Sequence, residues 1–148
     1  MSHATPEADE AACTRDSLAC QSRLYAEYGR GNRAAVFEAL AEDVDWRSVG
    51  PAQVPWSGSY AGPDGVRSYF ERLDSAVQVL RYEVERTVAQ GEWVTALVRV
   101  RVRFPATGVE RDFAAANVMR LRDGRILEFR EFFDTAGALE AMQGPQAA

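Results

Sequence analysis

Phe129, Glu131 and Phe133 are each two residues apart, so on a strand they share one face. A carboxyl bracketed by two aromatic rings on an inward face loses water. Its pKa then rises, which suits it to general acid or base work. Two other readings stand beside this one: strand curvature turns Glu131 outward, or an arginine pairs with it. Asn117 shares a face with Phe113, Ala115, Met119 and Leu121 in the preceding apolar run. Its amide can orient a carbonyl or oxyanion but carries no proton near neutral pH. A purely structural hydrogen bond would also satisfy a buried amide. Arg86 has the parity of Tyr82, Val84 and Val88. If that face is buried, its guanidinium needs an anion, either Glu131 or an acidic ligand. A local bulge would put it in water instead. Trp46, Trp56, Tyr60 and Tyr25 are the large aromatics available to wall a pocket or to fill a core.

Other chemistries are excluded by what the chain lacks. Its 148 residues contain one histidine, His3, in an N-terminal stretch rich in Ala, Glu and Asp. A fold without histidine rules out Ser-His-Asp and Cys-His catalysis within one chain, and every histidine-based metal site. All 17 basic residues are arginine. That fits a GC-rich coding sequence, and it rules out Schiff-base chemistry by a lysine of this chain. Cys13 and Cys20 are seven residues apart; on one helix their Cα atoms would lie about 10 Å apart, too far to bridge. Plain reduced thiols are expected. The formal charge of −5 argues against a nucleic-acid partner. No apolar run reaches the roughly 18 residues of a membrane span, and no signal peptide is visible. The expectations are therefore a cytoplasmic protein with no metal or organic cofactor, no nucleic acid and no membrane.

The elements that must position these residues are legible from periodicity. Residues 1–13 read as a flexible tail, 14–142 as one domain and 143–148 as a second tail. A helix is predicted from Thr14 to about Tyr28, stopped by Gly29-Arg30-Gly31-Asn32. A second helix runs from about Arg33 to Ala41. Val44 to Val49 is a short strand, and residues 50–62 form an irregular loop around Trp56 and Tyr60. A third helix spans about Val66 to Ala76, with Val66, Tyr69, Phe70 and Leu73 at helical spacing. Val77 to Ala89 is the first long strand. Trp93 to Phe104 alternates strictly, with Val94, Ala96, Val98, Val100 and Val102 on one face and Arg99, Arg101 and Arg103 on the other. Cross-strand pairing with Glu83 and Glu85 accounts for that arginine stripe. Phe113 to Leu121 and Ile126 to Phe133 follow, joined by the hairpin signal Asp123-Gly124. Asp134 precedes a last helix as its N-cap. Helices followed by a run of strands predict an α+β fold with helices on one face of a curved antiparallel sheet.

Four segments, in order, resemble the SnoaL-like family. They are Ala41-Glu42-Asp43-Val44-Asp45-Trp46; Pro55-Trp56-Ser57-Gly58-Ser59-Tyr60-Ala61-Gly62 with Gly65-Val66 and Tyr69-Phe70; Ala89-Gln90-Gly91-Glu92-Trp93-Val94; and Arg122-Asp123-Gly124-Arg125-Ile126 through Phe129 to Thr135. The resemblance spans about residues 18–142. It implies the nuclear transport factor 2-like superfamily, whose members include polyketide cyclases, ketosteroid isomerases and limonene-epoxide hydrolases. The implied fold is a cone-shaped α+β barrel, with three N-terminal helices on the sheet and a pocket between them. A pocket does not by itself imply a reaction.

By this resemblance Glu131 falls where the superfamily's epoxide hydrolases place a catalytic carboxylate. Asn117 stands where many relatives carry histidine. The sets of the known enzymes are incomplete. Ser48 occupies the position of the isomerase aspartate, and Val98 and Val100 align with the hydrolase Arg and Asp. Two functions from different classes remain. One is a cofactor-free acid–base enzyme, cyclase- or isomerase-like, acting on a small, mostly apolar carbonyl compound. Glu131 and Asn117 would be catalytic, with Trp46, Trp56, Tyr60, Tyr25, Arg86, Phe113, Phe129 and Phe133 binding the ligand. The other is a non-catalytic hydrophobic-ligand binder or dimeric accessory protein. Ala114, Ala116, Val118 and Phe132 share the opposite face, rimmed by Arg120, Arg130 and Glu128. Together with the resemblance they predict a homodimer through the outer sheet face.

Overall fold

The structure is a computed structural model that describes residues 5–144. The expectations for His3 and for the last four residues lie outside the described residues. The first helix, α1, is Pro6–Gly29. It starts at Pro6 rather than near Thr14 because Thr5 caps it, its hydroxyl accepting from the Ala8 N–H at 3.2 Å, and Pro6 occupies a first-turn position where no N–H is missed. The segment expected as a tail is therefore helical from residue 6. Gly31, at φ 82°, ends the run in the left-handed region that glycine alone adopts without strain.

Helix α2 is Arg33–Glu38, and strand β1 is Leu40–Ser48. The loop expected over 50–62 contains a short strand, β2, at Gly58–Ala61, which pairs with β1 from Asp45↔Ala61 to Ser48↔Gly58. Helix α3 is Gly62–Ala76, and Val66, Tyr69 and Phe70 are its buried positions. The long strands are β3 Gln78–Gln90, β4 Trp93–Phe104, β5 Val109–Arg122 and β6 Arg125–Phe133. At the β5–β6 turn Asp123 (φ 51°) and Gly124 (φ 73°) both take positive φ, the condition for a two-residue turn matching strand twist. Helix α4, Thr135–Gln143, starts behind Asp134, whose carboxylate accepts from the Gly137 N–H at 2.9 Å.

The six strands form one open sheet in the order β2-β1-β6-β5-β4-β3. It is curved and does not close into a barrel. The expectation of an all-antiparallel sheet is corrected at one seam: β1 and β6 run parallel, with Trp46 beside Phe129 and Ser48 beside Glu131. Parallel pairing is open to these two strands because the whole α3 and β3–β5 segment separates them in sequence. The fold class is α+β, with α1 and α3 against the inner face of the sheet and the core between them. Leu24 from α1, Val66 and Tyr69 from α3, and Trp46, Val94, Val98 and Ile126 from the sheet are all buried there. Each such apolar side chain contributes about 1.5–3 kcal/mol relative to exposure. Among the described residues no helix is long and apolar enough to cross a membrane.

Candidate active site

Glu131 reaches the inner face because of a bulge. Arg120 pairs with Glu128 and Leu121 with Ile126, so Leu127 is an extra residue in β6. Beyond it the alternation sends Phe129, Glu131 and Phe133 inward. Ser48 in β1 and Asn117 in β5 are then the direct neighbours of Glu131 on either side. One row across three strands thus carries a hydroxyl, a carboxyl and an amide. Glu131 is half-buried and lines the cavity.

Both carboxyl oxygens are held. Ser48 Oγ donates to Oε1 at 2.9 Å, and the Tyr69 hydroxyl donates to Oε2 at 2.6 Å. The Trp56 indole adds a third favourable contact. Burial raises the Glu131 pKa above its ordinary value and outweighs the opposing pull of Tyr69, Ser48 and Trp56. The Tyr69 hydroxyl is pushed well above its own ordinary value, first by burial and then by the charge of Glu131. It therefore stays a donor. A carboxylate has about four lone-pair sites, so with three of them engaged about one remains for a ligand.

A stack of rings flanks this carboxyl. Trp46 lies on Phe129 at 3.9 Å between centroids, and Trp56 on Phe133 at 5.7 Å. Asn117, 5% exposed, donates from Nδ2 to the Tyr82 hydroxyl at 2.9 Å. Tyr25 stacks on Tyr82 at 6.0 Å. Its hydroxyl lies beside Asn117 and Tyr82, and burial pushes its pKa up to about 12. Neither the Tyr25 hydroxyl nor Asn117 Oδ1 has a hydrogen-bond partner of normal geometry. Tyr25 and Asn117 both line a cavity of about 130 Å³, while these two oxygens are themselves buried.

The cavity brings together Glu131, Asn117, Tyr25, Trp46, Trp56, Phe113, Phe129 and Phe133. Two residues expected with them are elsewhere. Tyr60 is buried behind the wall: its hydroxyl donates to the Trp56 carbonyl at 2.9 Å, and its ring meets Tyr69 edge-on at 5.6 Å. It supports the site and does not face it. Arg86 is exposed on the outer face. The register shifts between Val84 and Arg86, so Arg86 sits beside the outward Leu97 while Tyr82 stays inside. Glu131 is accordingly not paired with an arginine. The arginine stripe of β4 is also outside, with Arg99 bonded to Glu85 at 2.9 Å and Arg101 to Asp112 at 3.2 Å.

Sequence reasoning missed three polar groups of the site. Tyr69 reads as one more apolar position of an amphipathic helix, and Tyr82 as a strand aromatic. Ser48 reads as the loss of a carboxylate. The available signal was its inward parity with Val44 and Trp46, which places a hydroxyl where only a partner keeps it satisfied.

A model of the SnoaL-like domain matches residues 22–129. The match stops two residues short of Glu131. A comparison with curated proteins gives no match. Among solved structures, an NTF2-like protein from Burkholderia thailandensis is 25% identical, with 86% of this chain and 97% of that one covered at a TM-score of 0.78. An NTF2-like protein from Burkholderia xenovorans is 22% identical, covering 87% and 97%, at a TM-score of 0.75. An epoxide hydrolase of the LEH-like type from M. tuberculosis is 18% identical, covering 88% and 91%, at a TM-score of 0.67. At these identities the structural likenesses carry the fold alone, while the domain match covers most of the chain: the protein belongs to the SnoaL-like family.

Proposed function

We propose that this protein is a cofactor-free acid–base enzyme that moves a proton on a small, mostly apolar carbonyl compound, with Glu131 as the proton carrier. The observation that carries this reading is a carboxyl of raised pKa, gripped at both oxygens, on the wall of an aromatic cavity. As a carboxylate, Glu131 takes a proton from carbon beside the carbonyl. The electron pair of that C–H bond moves into the enolate, and protonated Glu131 returns the proton at carbon or oxygen. No net oxidation occurs. Arg86 lies outside, so the second polar pole is Asn117 with Tyr25, facing the substrate oxygen. The likeness to an epoxide hydrolase, and to a structure described as a SnoaL-like polyketide cyclase from Mesorhizobium loti, supports a catalytic use of such a fold.

The test is deuterium exchange at the α-carbon of small cyclic ketones in D2O, followed by NMR. Wild type should exchange and Glu131→Gln should not. Equal rates in both would overturn the role of Glu131. The second reading, a non-catalytic binder, is favoured by the apolar Val98 where the related hydrolases use a charged residue. Binding of small ring compounds without exchange would establish it.

We further propose a cytoplasmic homodimer joined through the outer sheet face. Leu97, Ala116 and Phe132 form one row on that face, and Val88, Thr95 and Val118 flank it. Leu97 is 42% exposed and Phe132 43%, so the row is an apolar strip in water. A second copy of the same strip would bury it.

A further inference from the structure

We infer that Phe104 determines the specificity of the cavity: its side chain partitions the cavity from a surface groove and so limits how far a ligand extends away from Glu131. The inference rests on the proposed reading for the direction in which a ligand lies. It does not rest on the chemistry.

Two hollows meet at this side chain. The first is the cavity of about 130 Å³ that Glu131 lines, close to the roughly 150 Å³ apolar cavity that takes up benzene. The second is a groove of about 460 Å³ on the surface of the described residues, lined by Arg72 and Ala76 of α3, Ala106 of the β4–β5 turn and Met142 of α4. Phe104 is the one described residue that lines both. It is 2% exposed, so the ring fills the space between the hollows and stands free in neither.

The partition is fixed at its backbone and thin at its side chain. Phe104 is the last residue of β4, and its parity with Val98, Val100 and Val102 sends it inward. Its carbonyl accepts from the Thr107 N–H at 3.2 Å and the Gly108 N–H at 2.8 Å, which pins the strand end. The Phe113 ring meets it edge-on from the cavity side at 6.2 Å. On the groove side Ala76 and Ala106 carry nothing beyond Cβ and add little to the wall. The groove itself is braced, since the Thr107 hydroxyl donates to the Ala141 carbonyl at 2.8 Å and ties the turn to α4.

Glu131 and Phe104 stand at opposite ends of the sheet's inner face. Glu131 pairs with Asn117 on β5, and Phe104 pairs with Val109, eight residues along the same strand. A ligand with its carbonyl at Glu131 points its far end at Phe104. A packed interior accepts an oversized group only with strain, so the ring sets the limit at that end.

The probes are 4-methylcyclohexanone and 4-phenylcyclohexanone, one ketone with two groups opposite the carbonyl. Titration calorimetry on the wild type should show the methyl compound binding more tightly. Phe104→Ala should raise the affinity for the phenyl compound, relative to the methyl one, by about tenfold or more, as moving much of a phenyl ring out of water requires. Ala106→Trp or Ala76→Phe, added to Phe104→Ala, fills the groove and should cancel the gain. If Phe104→Ala is unfolded by circular dichroism, Phe104→Leu decides, with a smaller gain of the same sign. Glu131→Gln should keep the wild-type ratio even where it abolishes exchange, so loss of the catalytic reading leaves this inference standing. A wild type that prefers the phenyl compound, an unchanged ratio in the folded Phe104 variant, or a gain that survives both groove-filling changes would each overturn it. Binding of neither ketone by any folded variant would overturn it together with the reading of the cavity as a ligand site.

Discussion

Tyr69 of α3 donates its hydroxyl to Glu131 of β6 at 2.6 Å, which ties the helix to the sheet through the one carboxyl that lines the cavity among the described residues. The ring that does this is itself packed edge-on by Tyr60 and set against Trp46 at 5.6 Å. The donor is fixed by packing, so the carboxyl it holds is fixed as well.

Removing this hydroxyl takes away a group that lowers the Glu131 pKa. Tyr69→Phe should therefore move the Glu131 titration to higher pH, read by NMR of the side-chain carboxyl in protein carrying 13C-labelled glutamate. The acid limb of α-proton exchange should move the same way, since exchange needs the carboxylate. A downward shift would contradict the assignment of burial as the dominant cause.

Stability should carry the same signature. Glu131 is raised above its ordinary 4.5, so the folded protein holds a proton that the unfolded chain has released. Unfolding free energy then falls as pH rises from 4.5 through the raised value, and levels off above it. Glu131→Gln removes that slope. Urea unfolding at several pH values should show the variant gaining on the wild type across this window. A constant difference would mean that burial does not perturb the carboxyl.

Arg86 lies outside the cavity, exposed beside Leu97. Arg86→Ala should change stability by no more than about 0.5 kcal/mol, as for other surface substitutions. The rate of α-proton exchange should stay at the wild-type level. A loss of exchange would place its guanidinium at the site after all.

The outer strip predicts association. Light scattering at micromolar concentration should give about twice the 16.4 kDa of one chain. Val118→Arg, on the outer face of β5, should return a folded 16.4 kDa monomer. A monomeric wild type would reject the dimer.

Much of the frame was legible in the sequence because it rests on local rules. The alternation from Trp93 to Phe104 gave the limits of β4, the Asp123-Gly124 pair gave the β5–β6 turn, and Asp134 gave the cap of α4. The inward parity of Glu131 and Asn117 is likewise a property of spacing by two. Bulges are where that rule failed. An extra residue between Val84 and Arg86 turned the arginine out, and one at Leu127 brought Glu131 into line with Asn117. A bulge is settled by how a strand meets its neighbours, so no pattern within the strand announces it. Which groups hold the carboxyl was likewise decided by tertiary contact. Tyr69 and Ser48 lie 62 and 83 residues from Glu131, and both look like ordinary core positions in sequence. The sequence by itself determined an α+β scaffold and that Phe129, Glu131 and Phe133 share one face of a strand. Only the parallel seam of β1 on β6 and the packing of α3 decided the donors to Glu131, because hydrogen-bond partners are chosen by distance in space.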